Sequence, residues 1–354
     1  MTQYTHDMVT KLSSEKMKGN ELVQPSNGNL GRLSLARVNP EWNDGLPIFA
    51  SPQFLKTVSL EHGWAANKDC EGKLQTILPY VILTKFGVRM MRFPCSIVSK
   101  EQGDGQFAAG LPSFARSLGV DMILPASNMA LFSSYPEGAD FARYGTIIND
   151  LTPSEDEMWK AVTKDHRRRI RQAREAGIEV REGHSYLEAA QKLVAATLRK
   201  GGLKFKSSTE LKHIADALGK NLLILVAIHN GEIQAAEICP WSQYSAYGWY
   251  AGTSQNPAAG SSHLLMWETM VRAKRLGAKQ FNWCGARLNP TGKQAGIKDF
   301  KLRFGGQFVQ GFAWRYAISP LKYRLYRTGV RLLRGGDIVD LEAAQTCPAG
   351  SSGA

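Results

Sequence analysis

A run of arginines near the middle of the chain has the residue type and spacing that phosphate binding needs. Arg167, Arg171 and Arg174 follow one another at intervals of four and three, and Lys164 stands one turn earlier. This spacing places the side chains on one face of a helix. Guanidinium groups one turn apart can each hold a phosphate with two hydrogen bonds. The stripe therefore predicts a phosphate-binding surface; a solvated helix face is the alternative.

A lysine near residue 300 has the setting that oxyanion stabilisation requires. Ile297, Phe300 and Phe304 share one helical face that we expect to pack inward, and Lys301 lies beside that face. A partly buried ammonium there could supply a fixed positive charge to a tetrahedral oxyanion. A lysine stem that covers apolar surface while its ammonium stays in water is the alternative. If the catalytic interpretation holds, Lys301→Ala should lower turnover with little loss of stability.

Two acids stand at unusual places, and no metal site is indicated. Glu237 lies in the middle of a predicted strand and Glu268 within a predicted helix. Each could be a base or an orienting group, or a structural acid with its hydrogen bonds satisfied. The histidines lack metal-ligand spacing, and the five cysteines form no CxxC pair. We therefore expect no metal and no disulfide framework, only buried thiols in a reducing cytoplasm.

A mixed succession of helices and strands must position these groups. Acids at 155–157 after Ser154 start a helix that the periodicity continues to Gly177. Asn230-Gly231 separates two β-rich runs, which is the strongest short signal for a hairpin. Further elements are predicted as a strand over 244–250, a helix over 263–276 and a period-2 strand over 308–318. This order is typical of a mixed α/β, α+β-like fold with much antiparallel pairing.

Composition and charge restrict the partners. The chain has 354 residues with 43% hydrophobic residues and a net charge of +13, which is typical of a folded protein of about two domains. Residues 1–150 carry 14 basic and 14 acidic side chains, whereas the remainder carries 30 and 17. An acidic partner for the second half is therefore favoured. No apolar run has the length of a membrane span, and the polar start lacks a signal-peptide core.

The sequence divides into four predicted parts. Residues 1–30 are polar and are expected to be mobile, and the first domain spans 31–150. The second domain spans 151–320, and 321–354 form a basic amphipathic helix with a disordered end. In that helix Leu321, Leu325, Leu332 and Leu333 can share a face surrounded by basic residues. Such a helix can lie on anionic lipid or dock on the protein's own sheet.

Three blocks in the second half, in this order, resemble the FemAB-type peptidyltransferases. They are the helix-to-strand segment 159–180, the segment 247–253 with the following helix 264–268, and the closing block 296–306 with its Phe300-Lys301 pair. Residues 48–54 loosely resemble the opening of that family's first domain. The resemblance covers most of 150–320. Asn282 departs from it, because family members often carry Asp there.

The resemblance implies two domains of the GNAT (acyl-CoA N-acyltransferase) fold packed around a cleft, with central mixed sheets flanked by helices. It implies transfer of an aminoacyl group from aminoacyl-tRNA to an amine of a peptidoglycan precursor, in the cytoplasm at the inner face of the membrane. Lys301 would lie at the reacting centre and Phe300 would shape its surroundings. Arg167, Arg171, Arg174, Lys164, Trp267 and Tyr250 would bind substrate. No cofactor is expected, because the donor is itself a substrate.

Two other functions remain open. An acyl-CoA-dependent acetyltransferase of the same fold, acting on an envelope polysaccharide or amino sugar, usually carries an (R/Q)xxGxG/A loop, which residues 254–260 lack. A non-catalytic RNA-binding module would show RNA affinity with a steep salt dependence and would form no product. The sequence leaves the acyl group, the acceptor amine, the general base and the oligomeric state open.

Overall fold

A computed structural model describes residues 34–68, 71–99 and 105–346. The lead-in predicted over 1–30 and the predicted disordered end over 347–354 lie outside these residues. The first half contains β1 (Ala36–Val38), α1 (Pro52–Val58), β2 (His62–Lys68), β3 (Leu74–Lys85), β4 (Val88–Arg92), β5 (Val98–Ser99), α2 (Gly105–Ser117), β6 (Met122–Ile123) and β7 (Asp140–Asp150).

The second half alternates helices and strands as the sequence predicts. Its elements are α3 (Glu155–Ala161), α4 (Lys164–Glu175), β8 (Glu179–Glu182), α5 (Leu187–Arg199), α6 (Ser208–Leu218), β9 (Leu222–His229), β10 (Glu232–Pro240), β11 (Ala246–Tyr247), β12 (Tyr250–Thr253), α7 (Ser261–Arg275), β13 (Gln280–Asn282), α8 (Gly292–Leu302), β14 (Gln307–Ala317), α9 (Pro320–Arg334) and α10 (Ile338–Thr346). Among the described residues, no helix combines the length and apolarity needed to cross a bilayer.

A ten-stranded sheet joins the two halves of the chain. Its order is β1-β2-β3-β4-β6-β14-β7-β13-β11, with β5 paired to β3. The last strand, β14, lies antiparallel to both β6 and β7. The sheet therefore runs through the predicted boundary at residue 150, because β7 lies between two strands from the end of the chain. That boundary stays a prediction.

The second sheet has four strands in the order β12-β10-β9-β8 and is covered on both faces. Alternate residues of β9 enter two different cores, as period-2 strands require. On one face, α5 and α6 pack against Ile224 and Val226. On the other face, α4 and α7 pack against Leu223 and Leu225. The predicted hairpin joins β9 and β10 through Asn230 and Gly231, both at positive φ.

The strand predicted over 244–250 is wrong in one respect, because it is two strands in two sheets. β11 pairs in parallel with β13 of the large sheet, while β12 pairs with β10 of the small sheet. The chain crosses between the sheets at Gly248 and Trp249, where the Gly248 N–H donates to the Asn282 carbonyl. A Cβ on Gly248 would lie 3.1 Å from the Phe281 ring. Glycine therefore lets the chain pass close to that ring.

The single helix predicted over 154–177 is also wrong, since the chain breaks it into α3 and α4. Val162 and Thr163 are extended, and the Thr163 N–H donates to the carbonyl of Arg303 just after α8. The helix does start after Ser154 as predicted, and Ser154 and Glu157 form a capping box there. Periodicity could not reveal the break, because it is made by a contact with residue 303.

The helix predicted over 263–276 begins two residues earlier, at Ser261. Gly260, with φ +83°, is the N-cap of α7, whereas Ser261 lies inside the helix and its hydroxyl bonds back to Ala258. A Cβ on Gly260 would lie 2.6 Å from the carbonyl of Arg169 in α4. The beginning of α7 is therefore pressed against α4.

Candidate active site

The Lys301 side chain points into the protein from α8. Its Nζ donates to the carbonyl of Trp283 at 2.8 Å and to that of Gly285 at 3.3 Å. An ammonium has three N–H donors, so these two bonds leave one for another acceptor. Burial lowers the pKa of Lys301 below its usual value, while the neighbouring Cys284 and Glu237 oppose this shift. The Lys301 ammonium is thus a partly desolvated cation that two backbone carbonyls fix in place.

A left-handed turn aims the two carbonyls at this cation. Cys284 has φ +55° and Gly285 φ +73°, directly after β13. A Cβ on Gly285 would lie 2.3 Å from the hydroxyl oxygen of Tyr144 and 3.2 Å from Cβ of Asn128. Both the backbone conformation and the space therefore require glycine. The turn also connects the Lys301 site to Tyr144 and Asn128.

Glu237 is the carboxylate of this site. It is 1% exposed, and neither of its oxygens has a hydrogen-bond partner among the described residues. Burial raises the pKa of Glu237 well above its usual value, and the nearby Lys301 charge opposes that shift. The side chain reaches the point where the sheets diverge, because Oε1 lies 3.6 Å from where a Cβ on Gly248 would be. A buried carboxyl group without a hydrogen-bond partner can accept a hydrogen bond or a proton from a bound substrate.

A cavity of about 500 Å³ lies next to the Lys301 site, between the first half of the chain, β12 and the C-terminal helices α9 and α10. Tyr144 and Asn128, which touch Gly285, belong to its wall, as do Trp249 and Tyr250. Arg92 and Lys206 also line it. Asp337, the acid in the wall, is paired with Arg315 at 2.6 Å. Arg92 and Lys206 therefore place two basic side chains at the cavity wall, which suits a phosphate-bearing substrate.

Phe300 packs beside the Lys301 site within an aromatic cluster. Its ring lies 5.3 Å from that of His166, 5.0 Å from that of His263 and 5.2 Å from that of Phe304. Burial, together with the neighbouring His166, lowers the pKa of His263 to about 4. The cluster is uncharged at neutral pH and fixes α8 against α4 and α7. Ile297, expected to pack inward with Phe300, is instead 39% exposed.

The arginine stripe is only partly available. Arg167 donates to the carbonyls of Trp159 and Lys160 at the end of α3, at 3.2 and 3.0 Å. Arg174 forms an ion pair with Glu268 at 2.8 Å. Arg171 and Lys164 are exposed. The structure thus assigns Glu268 to an ion pair and leaves Arg171 and Lys164 as the open cations of α4.

The remaining two predicted residues differ in their surroundings. Trp267 is 5% exposed and packs edge-on against Trp159 at 4.9 Å; its contact with substrate stays a prediction. It faces the core between α7 and the sheet. Tyr250 lines the cavity, and burial raises its pKa to about 12, so it is a neutral hydroxyl.

Sequence reasoning missed Tyr144 and Asn128, which carry no local signal. Lys206 belongs to a basic loop visible in the sequence, but nothing there shows that the loop reaches a cavity. Among the described residues, no three histidine, cysteine or acidic side chains form a possible metal site. Cys95, Cys239 and Cys284 are buried and unpaired.

Comparison with known proteins now adds to this geometry. A family model described as an acetyltransferase (GNAT) domain matches residues 160–301, ending at Lys301. The crystal structure of FemX is similar with a TM-score of 0.63 and 13% identity, over 79% of this chain and 94% of that chain. This chain has a FemX-like GNAT fold. The mixed α/β GNAT fold that the sequence resemblance implied is thereby confirmed.

Two further structures are similar to this GNAT chain at lower scores. The structure of L-PGS from Bacillus licheniformis has a TM-score of 0.44 and 14% identity, over 78% of this chain and 96% of that one. A tandem GNAT protein from the clavulanic acid biosynthesis pathway has a TM-score of 0.45 and 11% identity, over 80% of this chain and 98% of that one. No curated protein matches the sequence. The family match by itself supports a GNAT acyltransferase domain over residues 160–301.

Proposed function

We propose that this chain is an N-acyltransferase that moves an aminoacyl group from aminoacyl-tRNA to an amine of a peptidoglycan or other envelope precursor. The observation that carries the proposal is the inward-pointing Lys301 ammonium beside the unpartnered Glu237 carboxyl, where the two sheets diverge. The resemblance of the Phe300-Lys301 block to FemAB-type enzymes favours this transfer over other GNAT reactions. The protein would act in the cytoplasm, on a precursor at the inner face of the membrane.

The proposed chemistry begins with attack of the acceptor amine on the ester carbonyl of the donor. A C–N bond forms, and the carbonyl oxygen gains negative charge that the remaining N–H of Lys301 stabilises. Glu237 takes the proton that the amine loses. The ester C–O bond then breaks, and the ribose oxygen of the tRNA leaves with that proton. Burial raises the pKa of the Glu237 carboxyl above its usual range, so the group is a stronger proton acceptor than an exposed carboxylate.

Charge in the structure supports binding of phosphate-bearing substrates on two sides. Arg92 and Lys206 line the cavity, where a precursor pyrophosphate would lie. Arg171 and Lys164 are exposed on α4, where the tRNA backbone would lie. Substrate binding by the α4 stripe remains a proposal for all four of its residues, Lys164, Arg167, Arg171 and Arg174. Arg167 and Arg174 already form a hydrogen bond or an ion pair with other protein groups.

The acyl-CoA route is the second candidate, because the family model is described as an acetyltransferase domain. Free N–H groups at a helix N-terminus can hold pyrophosphate. In α7 the carbonyl of Arg169 lies against Gly260, and the Ser261 N–H is already used by Ala258. This close packing disfavours a pyrophosphate there and supports the tRNA route.

One assay separates these functions. The purified protein is incubated with an extract of envelope precursors and either charged tRNA or acetyl-CoA, and the precursors are weighed by mass spectrometry. A mass gain of one amino-acid residue with charged tRNA is expected. A gain of one acetyl group with acetyl-CoA would select the CoA route. RNA binding without either product would contradict an enzyme and favour an RNA-binding module.

A further inference from the structure

The two faces of α9 differ in solvent exposure. Tyr323 is buried against Met90 of β4 and Met122 of β6, two interior strands of the large sheet, and against Leu124; Tyr326 packs beside it. Leu321, Leu325 and Leu332 are 71%, 67% and 82% exposed. Their spacing of four and seven places them on one face of the helix. The tyrosine face fixes α9 to the protein, and none of the described residues covers the leucine face.

A second exposed apolar side chain lies beside the start of this helix. Phe86, at the turn between β3 and β4, is 95% exposed and has φ +51°. Gly87, the next residue, also has positive φ. Two-residue hairpin turns of this kind favour Asn-Gly, and a bulky residue with positive φ is strained. The protein thus holds a large apolar ring in water at a strained position, which folding alone does not explain.

Hydrogen bonds join this turn to α9. Lys322 Nζ donates to the Gly87 carbonyl at 3.2 Å and to Asp121 at 2.9 Å. The N–H groups of Ile318 and Ser319 donate to the Asp121 carbonyl. Phe86 and Leu321 therefore lie on adjoining segments that are 235 positions apart in sequence. We call Phe86, Leu321, Leu325 and Leu332 the apolar rim.

The charge around the apolar rim is entirely positive on the helix. Residues 320–334 contain five lysines and arginines and no acid. Arg324 is exposed between Leu321 and Leu325, and Lys85 Nζ lies 5.7 Å from the centre of the Phe86 ring. Apolar side chains bordered by cations are typical of helices that lie in the interface of an anionic bilayer. A protein partner for so basic a face would need its own dense acidic patch.

We propose that the apolar rim docks the protein on the surface of an anionic lipid bilayer. Phe86 and the leucines enter the headgroup region, while Arg324 and Lys85 stay at the level of the lipid phosphates. The helix lies in the plane of the surface, as its fixed tyrosine face requires. This inference is independent of the transferred group, since it rests on a surface outside the acyl-transfer site.

Flotation of the full chain with lipid vesicles tests the inference. We expect binding to vesicles of phosphatidylglycerol and phosphatidylcholine, weaker binding to phosphatidylcholine alone, and a decline with added salt. Leu325→Ser should lower the partition coefficient about tenfold, because it removes one apolar side chain that the bilayer would bury. Leu203→Ser is the matched control, since Leu203 is 61% exposed outside the rim and should leave binding unchanged.

Phe86→Asn separates docking from misfolding. Asn is favoured in this turn, so the variant should melt at the same temperature as the parent or above it, yet bind vesicles about tenfold more weakly. Equal binding by the parent and both rim variants would overturn the inference. It would also be overturned if the parent ignored anionic vesicles. If the parent did not bind anionic vesicles and the rim variants had a different sedimentation coefficient from the parent, the apolar rim would instead be an interface between copies of this chain.

Discussion

Replacement of Lys301 by alanine should impair both catalysis and folding. The sequence alone suggests little loss of stability, but the structure shows Nζ bonded to two carbonyls in a partly buried turn. Loss of a charged donor to a buried acceptor costs about 1.5–3 kcal/mol. Because Gly285 O is the longer contact, we expect a total loss of about 3 kcal/mol in the free energy of unfolding. We therefore expect a larger loss of stability than the sequence alone suggests.

The catalytic loss should exceed what destabilisation explains. Removal of one oxyanion donor lowers kcat about 10²- to 10³-fold. Both quantities are measured on the same preparation, by urea unfolding and by rate of product formation. The rate is divided by the folded fraction, from circular dichroism at the assay temperature. Lys301→Arg should restore some activity, since it keeps the charge.

Lys298 supplies a matched control one turn earlier on α8. Its Nζ donates to the Leu288 carbonyl at 2.7 Å and lies 4.0 Å from the centre of the Phe308 ring. Lys298→Ala should cost about 2 kcal/mol of stability but leave kcat within about twofold. If Lys298→Ala and Lys301→Ala lowered the corrected kcat equally, the proposed role of Lys301 would be refuted.

Three further predictions test the site and its support. Burial lowers the pKa of His263 to about 4, so its contribution to stability is complete above its usual pKa of 6.5 and is lost as the pH falls towards 4. Urea unfolding at several pH values should show that the free energy of unfolding falls by about 1–2 kcal/mol over that window, after allowance for solvent screening. The fall should be smaller in His263→Phe, which lacks the titrating imidazole. Arg171→Ala should reduce the salt dependence of tRNA binding by about one phosphate contact and leave the free energy of unfolding unchanged. Arg167→Ala should lower the free energy of unfolding by about 1–2 kcal/mol, because the carbonyls at the end of α3 lose their donor. Equal stability of these two variants would contradict the assignment of Arg167. A Cβ on Gly252 would lie 2.5 Å from the backbone of α5, so Gly252→Ala should lower the melting temperature strongly, while Gly296→Ala, with open space in α8, should leave it equal or higher.

The sequence by itself determined most of the local structure. The hairpin at Asn230-Gly231 and the capping box at Ser154 follow from residue preferences that act over a few positions. The FemAB-like block around Lys301 likewise identified the GNAT fold. These features need no knowledge of distant neighbours, which is why spacing and residue type sufficed.

The tertiary structure decided which of the candidate residues meet. Glu237 and Glu268 are equivalent candidates in the sequence, yet one is buried without a partner and the other is paired with Arg174. The division of 244–250 into two strands depends on which sheet each half joins, and the break before α4 depends on the carbonyl of Arg303. Contacts of this kind join residues up to 140 positions apart. Local periodicity carries no information about them, so only the folded chain brings Lys301, Glu237 and the cationic cavity together.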